Sequence, residues 1–497
     1  MTDAARIRRV EIADFRAFPA SQPANIVLDG CNLLAFGENG SGKSSIYRAL
    51  RELFSLSPQT AMDHHNQLCP RPPAPDPRVR VTLTDGVAYD WTTAAHPTGA
   101  VYNIARTACF LTHTRLREMN YSAVGPNTPP NLFDYAVETF LADYLTLITG
   151  ARGGGRKTVG ELWEEVKATQ RSGAKRTKNY IRAAEDSCIR FNEGMNEALN
   201  VLHTHAQQIL EKLLSVLAPD KLKLIRLEFS ATTFDPSIRP AFDGDVSAIR
   251  NRRLTPVVSF GSYEPPAPQD FLNEGRQSAL AIAICLAARL TCVLPGRDRL
   301  KLLVLDDLLI SLDASHRRPV LRTILELFED WQIILLTHDR YWFELAREQL
   351  RAAGTWRFVE VYERFDNTGL LQPLVRSVSD DSATSLLDQA ERFLDDNHAA
   401  AAANYARSAL EMKLKKLCAQ HRFNLPYRAD GEPPHTLQFL LDRVKNGLSQ
   451  SNPTTFAALK ALNPHKRFVL NPFSHDPLHA VPPADVRAAI QAVRDIG

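Results

Sequence analysis

The segment Gly37-Glu38-Asn39-Gly40-Ser41-Gly42-Lys43-Ser44 fits the phosphate-binding loop pattern G-x-x-x-x-G-K-[ST]. Small residues at Gly37, Gly40 and Gly42 let backbone N–H groups, that of Asn39 among them, wrap the oxygens of a phosphate chain. Lys43 would reach the outer phosphates. Ser44, followed by Ser45, would offer a hydroxyl to Mg²⁺. A helix that starts here adds the favourable field of its N-terminus. A second group lies at Lys301-Leu302-Leu303-Val304-Leu305-Asp306-Asp307, an apolar run that ends in two acids. Asp306 is placed to hold Mg²⁺, directly or through water, and Asp307 to polarise an attacking water. The competing reading is a pair of strand-end acids that cap the next turn.

Two further segments carry polar residues at the ends of apolar runs. Phe271-Leu272-Asn273-Glu274-Gly275-Arg276-Gln277 precedes the apolar stretch from Ser278 to Leu290, and Thr337-His338-Asp339 follows another, with His338 lying 32 residues beyond Asp306. Taken alone, Asn273 is a helix N-cap and His338 a strand-end histidine.

These residues need elements to hold them. Asn32 to Phe36, Leu302 to Leu305 and Ile333 to Leu336 have the continuity expected of central parallel strands, buried on both faces. Ser44 to Phe54 and Ser278 to Leu290 are expected helices, the second apolar on nearly all sides. Arg6 to Ile12 alternates like a half-exposed strand. Arg78 to Leu83 and Val87 to Trp91 form an expected hairpin around Asp85-Gly86, and Ala108 to Thr112 is a short strand ending at His113. Five prolines between Pro70 and Pro77 predict a stiff, exposed loop. From about Leu132 to Leu217 the pattern is helical, with a break at Gly153-Gly154-Gly155 and no sustained heptad. Strands resume at Leu222 to Phe229 and Pro256 to Phe260, and Arg357 to Tyr362 with Leu370 to Val375 close the sheet. Beyond Ser377 everything is helical. The fold class expected is α/β, a P-loop head over residues 1–377 with a helical insertion at about 132–217. An all-α domain over 378–497 follows it.

Composition narrows the classes. A chain of 497 residues exceeds one ordinary core. With 44% hydrophobic and 23% charged residues it is neither disordered nor fibrous. A net charge of +3, from 59 basic and 56 acidic residues, demands no nucleic-acid partner. The longest apolar run, Ser278 to Ala288, has eleven residues, against about 20 for a membrane span. The first residues lack an apolar signal core. Seven scattered cysteines without a Cys-x-x-Cys pair suit free thiols in a reducing compartment. A soluble cytoplasmic protein is the expectation. Locally, nine basic residues (Arg152, Arg156, Lys157, Lys167, Arg171, Lys175, Arg176, Lys178, Arg182) against three acids between 151 and 182 could contact DNA or RNA phosphates. A solvated helix face explains the same stretch.

Together, the phosphate loop, the 271–277 segment, Asp306-Asp307, Ser311-Leu312-Asp313 and Thr337-His338-Asp339 resemble, in order, the motif set of ABC-type ATPases. The opening Ile12-Ala13-Asp14-Phe15-Arg16-Ala17-Phe18 is similar to the start of the RecF and SMC branch. The resemblance covers about residues 6 to 375. It implies ATP and Mg²⁺ as cofactors and two heads meeting head-to-tail as a homodimer or a higher oligomer. Asn273 and Gly275 would face the γ-phosphate of the other head, Asp313 would lie in the D-loop, and His338 would sense the phosphate in its own head. Two departures stand out: Asn273 replaces the family's usual Ser, and Asp307 its usual Glu. The shorter acid implies slow hydrolysis, with ATP acting mainly as a clamp. His113 sits near the place of the family's Q-loop glutamine.

The tail has its own resemblance. Asn404-Tyr405-Ala406-Arg407-Ser408-Ala409-Leu410-Glu411, with Lys413, Lys415 and Lys416, looks like the first long helix of HEPN-type domains. Asn471-Pro472-Phe473-Ser474-His475 looks like the end of their RNA-cutting motif Arg-Asn-x-x-x-His, but Leu470 stands at the Arg position and the nearest arginine is Arg467. The whole architecture resembles the ATPases of the Septu and retron anti-phage systems. That implies a separately encoded effector, such as an HNH-type nuclease. A RecF-type repair or replication ATPase and a stand-alone RNA-cutting toxin are the alternatives.

Overall fold

The computed structural model describes residues 5–21, 23–54, 66, 77–91, 101, 104–105, 108–120, 128–149, 155–214, 221–292, 300–312, 314–363, 373–378, 382–395, 398–425, 436–448, 452–470 and 482–496. The chain divides into two compact units, Met1–Arg376 and Ser377–Gly497.

The first unit opens with an antiparallel sheet. β1 (Ile7–Ala13) lies between β2 (Ala24–Val27) and β4 (Arg78–Leu83), and β4 continues to β5 (Ala88–Trp91). Ile7, Val10 and Ile12 face inward while Arg8 and Arg9 face water, the alternation of a one-sided sheet. The central sheet is different. β3 (Asn32–Gly37), β6 (Cys109–Thr112), β13 (Leu302–Asp306), β14 (Gln332–Thr337), β15 (Trp356–Tyr362) and β16 (Leu374–Ser377) assemble in the order β16-β15-β3-β14-β13-β6. Every residue of β3, β13 and β14 is buried. The pairs from β15 across β3, β14 and β13 to β6 are parallel, so their carboxyl ends share one edge.

Gln332 joins the two sheets. It is 1% exposed. Its amide accepts from Ile7 N at 2.5 Å and donates to the carbonyls of Ile7 (3.0 Å) and Cys31 (2.7 Å). Helix α1 (Lys43–Leu53) packs on this core, with Tyr47 edge-on to Phe110 at 5.8 Å.

Residues 132–217 are not helical throughout. Short turns at Phe133–Phe140 follow α2 (His113–Asn120), and then a ribbon of β7 (Leu145–Thr149) and β8 (Arg156–Thr158) intervenes. The β-branched residues Thr146, Ile148 and Thr149 favour extended backbone, a local signal lost in a longer helical window. α3 (Val159–Thr169) starts at a reciprocal capping box between Thr158 and Glu161. α4 (Lys178–Leu214) then runs for 37 residues. Gly194, in its middle, permits close approach: a Cβ there would stand 2.7 Å from Leu162 Cδ1 and 3.0 Å from Thr146 Cγ2. Phe133, Trp163, Phe191 and Phe229 form the insertion's aromatic core. β9 (Leu222–Ser230) pairs antiparallel with β12 (Arg253–Phe260), and β10 (Thr233–Phe234) with β11 (Ile249–Arg250). α5 (Glu274–Cys292) is buried on all sides from Gln277 to Ala288. α6 (Ala314–Leu327) follows β13, and α7 (Arg340–Arg351) follows β14.

The second unit is all helix: α8 (Ser382–Asp395), α9 (Ala399–Gln420), α10 (Leu437–Leu448), α11 (Pro453–His465) and α12 (Pro483–Arg494). Ala402, Ala406 and Ala409 of α9 are fully buried, small side chains that bring neighbouring helices close. No described helix is long and apolar enough to cross a membrane.

Candidate phosphate-binding site

The loop after β3 turns on backbone shapes that only glycine adopts without strain. Gly40 and Gly42 have φ of +88° and +97°. Gly37 is required for space instead: a Cβ would sit 2.5 Å from Ser41 Oγ and 3.1 Å from the Val361 carbonyl. The buried Ser41 hydroxyl has no hydrogen-bond partner among the described residues. Arg16, Ala17, Glu38, Asn39, Lys43, Ser44, Ser45 and Arg48 line a cleft of about 250 Å³ over this loop.

Lys43 is withdrawn from water, its side chain 4% exposed, and is answered by two acids. Its ammonium donates to Asp307 Oδ2 at 2.6 Å and to Asp306 Oδ1 at 3.4 Å. Asp306 ends β13 and is level with Leu336 and Thr112 on its neighbours. Asp307 takes left-handed backbone (φ +52°), unusual for a residue with a Cβ. That turn aims its carboxylate back across the sheet edge toward the loop after β14. There the His338 N–H donates to Asp307 Oδ1 at 2.9 Å. The His338 ring Nδ1 also lies 2.9 Å from Oδ2, close enough for a charge contact but off the line of a hydrogen bond. Four strands thus deliver Lys43, Asp306, Asp307, His338 and His113 to one edge.

The two acids are driven in opposite directions. Burial pushes the Asp306 carboxyl up, and the neighbouring charge of Asp307 adds to this against the pull of Lys43. Burial also acts to raise Asp307, but Lys43 and the hydrogen bonds from Lys43 and His338 outweigh it and hold Asp307 below the ordinary carboxylate range. The nearby Ser44 hydroxyl also acts to lower the Asp306 carboxyl. A serine hydroxyl beside a carboxylate is the hard oxygen pair that suits Mg²⁺, which keeps several waters. No group of three His, Cys, Asp or Glu among the described residues forms an all-protein metal cage.

The signature-like segment lies at the start of α5. Asn273 Oδ1 accepts from Arg276 N at 3.0 Å, so Asn273 does cap the helix. The side chain remains exposed, and its NH₂ is a second, independent donor. Asn273, Gly275, Arg276, Leu312 and His316 line a cavity of about 210 Å³. Asp313 lies outside the described residues.

Three arginines join the set: Arg16 from the opening motif, and Arg48 and Arg317 from outside the sequence motifs. Arg16 and Arg48 face the cleft over the loop; Arg48, one helical turn after Ser44, is the one that spacing could have flagged. Arg317 of α6 braces two loops. Its Nε donates to the Leu312 carbonyl at 3.0 Å and its NH1 to Asp339 Oδ2 at 2.5 Å. The other Asp339 oxygen caps α7 at Trp342 N (3.0 Å).

The basic stretch of the insertion is partly spent internally. Arg156 donates to the Thr146 carbonyl at 2.6 Å, Lys167 pairs with Glu164 at 2.5 Å, and Arg176 lies 5.0 Å from the Tyr180 and Phe234 rings. Arg171, Lys175, Lys178 and Arg182 face solvent. Arg152 lies outside the described residues. In the second unit Lys413 is also engaged, donating to the carbonyls of Arg494 (2.9 Å) and Ile496. Leu470 is fully buried and Arg467 exposed; Asn471 to His475 lie outside the described residues.

No protein-family model and no curated protein matches this chain. Among solved structures it is similar to the recombination mediator RecF bound to ATP, at 13% identity over 76% of this chain and 98% of that one (TM-score 0.39). The Smc head domain with an extended coiled coil from Pyrococcus furiosus, bound to the C-terminal domain of ScpA, matches at 15% over 79% and 99% (TM-score 0.36). The SMC head domain from Thermotoga maritima matches at 13% over 75% and 99% (TM-score 0.32).

Proposed function

We propose that this chain binds and hydrolyses ATP with Mg²⁺, closes head-to-tail on a second copy, and in that form controls a separate nucleic-acid-cutting effector in anti-phage defence. The observation that carries the ATPase reading is the triad of Lys43, Asp307 and His338 at the mouth of the phosphate loop. Without nucleotide, Lys43 and Asp307 neutralise each other. A triphosphate in the loop competes for Lys43. Once Lys43 turns to the phosphates, the Asp307 carboxylate is released to accept a proton from water, and His338 remains beside it to donate to the γ-phosphate. The exposed Asn273 NH₂ and the N-terminus of α5 supply donors for a γ-phosphate held by another copy. Mg²⁺, held through Ser44 and Asp306, would neutralise charge on the outer phosphates.

The experiment is light scattering with and without saturating ATP. Wild type should shift to a dimer or larger form, Asp307→Ala should stay in it, and Lys43→Ala should not enter it. One mass distribution for all three, unchanged by ATP, would sink the reading. The 378–497 domain serves as an assembly module, since buried Leu470 cannot supply the cation an RNA-cutting pair needs. Its removal should leave ATP binding intact and abolish effector recruitment.

A second reading is an accessory repair or replication ATPase that loads on DNA itself. The solvent-facing Arg171, Lys175, Lys178 and Arg182 favour it. Charge reversal at the first three should then weaken duplex DNA binding and flatten its salt dependence.

A further inference from the structure

One face of the C-terminal unit gathers positive charge with which no carboxylate among the described residues is in ion-pair contact. Lys445 lies on α10 and Lys460 on α11, while Lys466 and Arg467 occupy the wide π-helical turn, Lys466–Leu470, that ends α11. Residues 452–470 contain no Asp or Glu, and Asp442 is the one acid of α10. Its oxygens accept from Gln438 Nε2 at 2.7 and 2.8 Å. Among the described residues, none of these four cations is in ion-pair contact with a carboxylate. Three arginines elsewhere in the same unit are matched: Arg407 with Glu411 (3.3 Å), Arg487 with Asp395 (2.9 Å), Arg494 with Glu391 (2.9 Å).

The cations are held in place by neutral groups. Lys445 Nζ donates to Asn463 Oδ1 at 2.7 Å, and Lys466 Nζ to Gln438 Oε1. Amide oxygens orient an ammonium without cancelling its charge. Burial holds the Lys445 ammonium below the ordinary lysine range; Asp442 pulls against this, and repulsion from Lys466 and then Lys460 adds to it. Beside them Phe468 is 61% exposed, its ring 5.3 Å from the Arg467 guanidinium. An arriving anion relieves the repulsion, and an exposed ring beside it offers a flat apolar surface.

We propose that this α10–α11 face binds single-stranded nucleic acid, its phosphates meeting Lys445, Lys460 and Lys466 and a base stacking on Phe468. Phosphates supply the missing negative charge, and only an unpaired base has a free face for the ring. A duplex keeps its bases stacked inside.

The test is fluorescence anisotropy of the full chain with 20-nucleotide oligo-U and oligo-dT across a series of KCl concentrations. Lys445→Glu/Lys460→Glu/Lys466→Glu should weaken binding about 100-fold or more and lower the log–log salt slope by about 2. The triple Lys→Gln variant, which puts no like charges in place, should act in the same direction. Phe468→Ala should weaken binding about 10-fold with the slope unchanged. Either oligonucleotide responding this way supports the proposal, and which binds tighter separates RNA from DNA. Unchanged affinity and slope in both triple variants would overturn it. So would loss seen only on reversing Arg171, Lys175 and Lys178 in the insertion. An effect of the lysines with none from Phe468 would leave a plain polyanion patch and overturn the nucleic-acid claim.

Discussion

Lys43 of the first unit is buried and Lys445 of the second half-buried, and their surroundings treat them in opposite ways. Lys43 is met by two carboxylates at 2.6 and 3.4 Å. Lys445 meets an amide oxygen at 2.7 Å, feels the attraction of Asp442 without an ion-pair contact, and is repelled by two more lysines. A buried charge left alone is costly, a half-buried one much less so, and each site implies a different relation to its ligand. At the sheet edge the charge is already balanced, and a phosphate chain must displace protein groups to bind. At the helical face the balance is open, and an anion completes it. The first arrangement can act as a switch because binding changes which protein groups are paired. The second has nothing to release.

Removing Lys43 should have the largest effect. Lys43→Ala should abolish nucleotide binding in isothermal titration. It should also cost the nucleotide-free first unit about 3 kcal/mol in urea at pH 7, because two acids lose their counter-charge. That deficit should shrink on acidification as the carboxyls protonate. A variant as stable as wild type would mean the pairing is incidental.

Arg317→Ala should lower ATP turnover about 10-fold with KM nearly unchanged, since it frees the loops that carry Asp307 and His338 and touches no phosphate. Arg317→Lys should not restore turnover, because an ammonium cannot span the Leu312 carbonyl and Asp339 as the guanidinium fork does. Recovery by lysine would reduce Arg317 to a point charge.

The two acids should separate by sign. Asp307 has its folded pKa held down, so its contribution is present above the unfolded carboxylate pKa and is lost as pH falls through the lower folded value. Asp307→Asn should therefore destabilise the nucleotide-free protein at pH 7, by about 1 kcal/mol, and remove that acid-side loss. Asp306 is pushed up, so its ionisation opposes folding as pH rises through the carboxylate range. Asp306→Asn should leave the nucleotide-free protein as stable or more stable. Urea midpoints from pH 3 to 7 that move together for both variants would contradict the asymmetry.

The smallest effect sharpens the comparison most. Lys445→Gln removes a partly desolvated charge and the repulsion on it, which together outweigh the attraction of Asp442, so it should leave the second unit unchanged or raise its stability by roughly a few tenths of a kcal/mol, less at high salt. Lys43→Gln should destabilise the first unit. Two lysine-to-glutamine changes of opposite sign, read in thermal melts at low salt, would separate balanced from open charge. Equal losses would erase the distinction.

Much of the sheet edge was legible because its grammar is local. Lys43, Asp306 and His338 each stand just past a short apolar run, and such runs become buried parallel strands with aligned carboxyl ends. The brace at Arg317 was not legible: within α6 nothing distinguishes it from Arg318, and its partners come from loops that meet only in the folded sheet. The β7–β8 ribbon was masked by helical neighbours on both sides. The positive face of the second unit was equally hidden, since Lys445, Lys460 and Lys466 belong to separate segments and make no run of charge. Asn273 illustrates an overlap: capping the helix and offering a donor outward are compatible, because the amide has two ends.

The pairing of β3 also sets an order in time. Its neighbours β14 and β15 are made about 300 residues after it, a wait of roughly 15 to 60 seconds at common rates of synthesis. Gln332, which also closes the Ile7 edge of the antiparallel sheet, comes with them. Until then a strand that is apolar from Leu33 to Phe36 has open edges on both sides. The central sheet therefore cannot close until the last part of the first unit has been made, and before that β3 is an unpaired strand able to pair elsewhere.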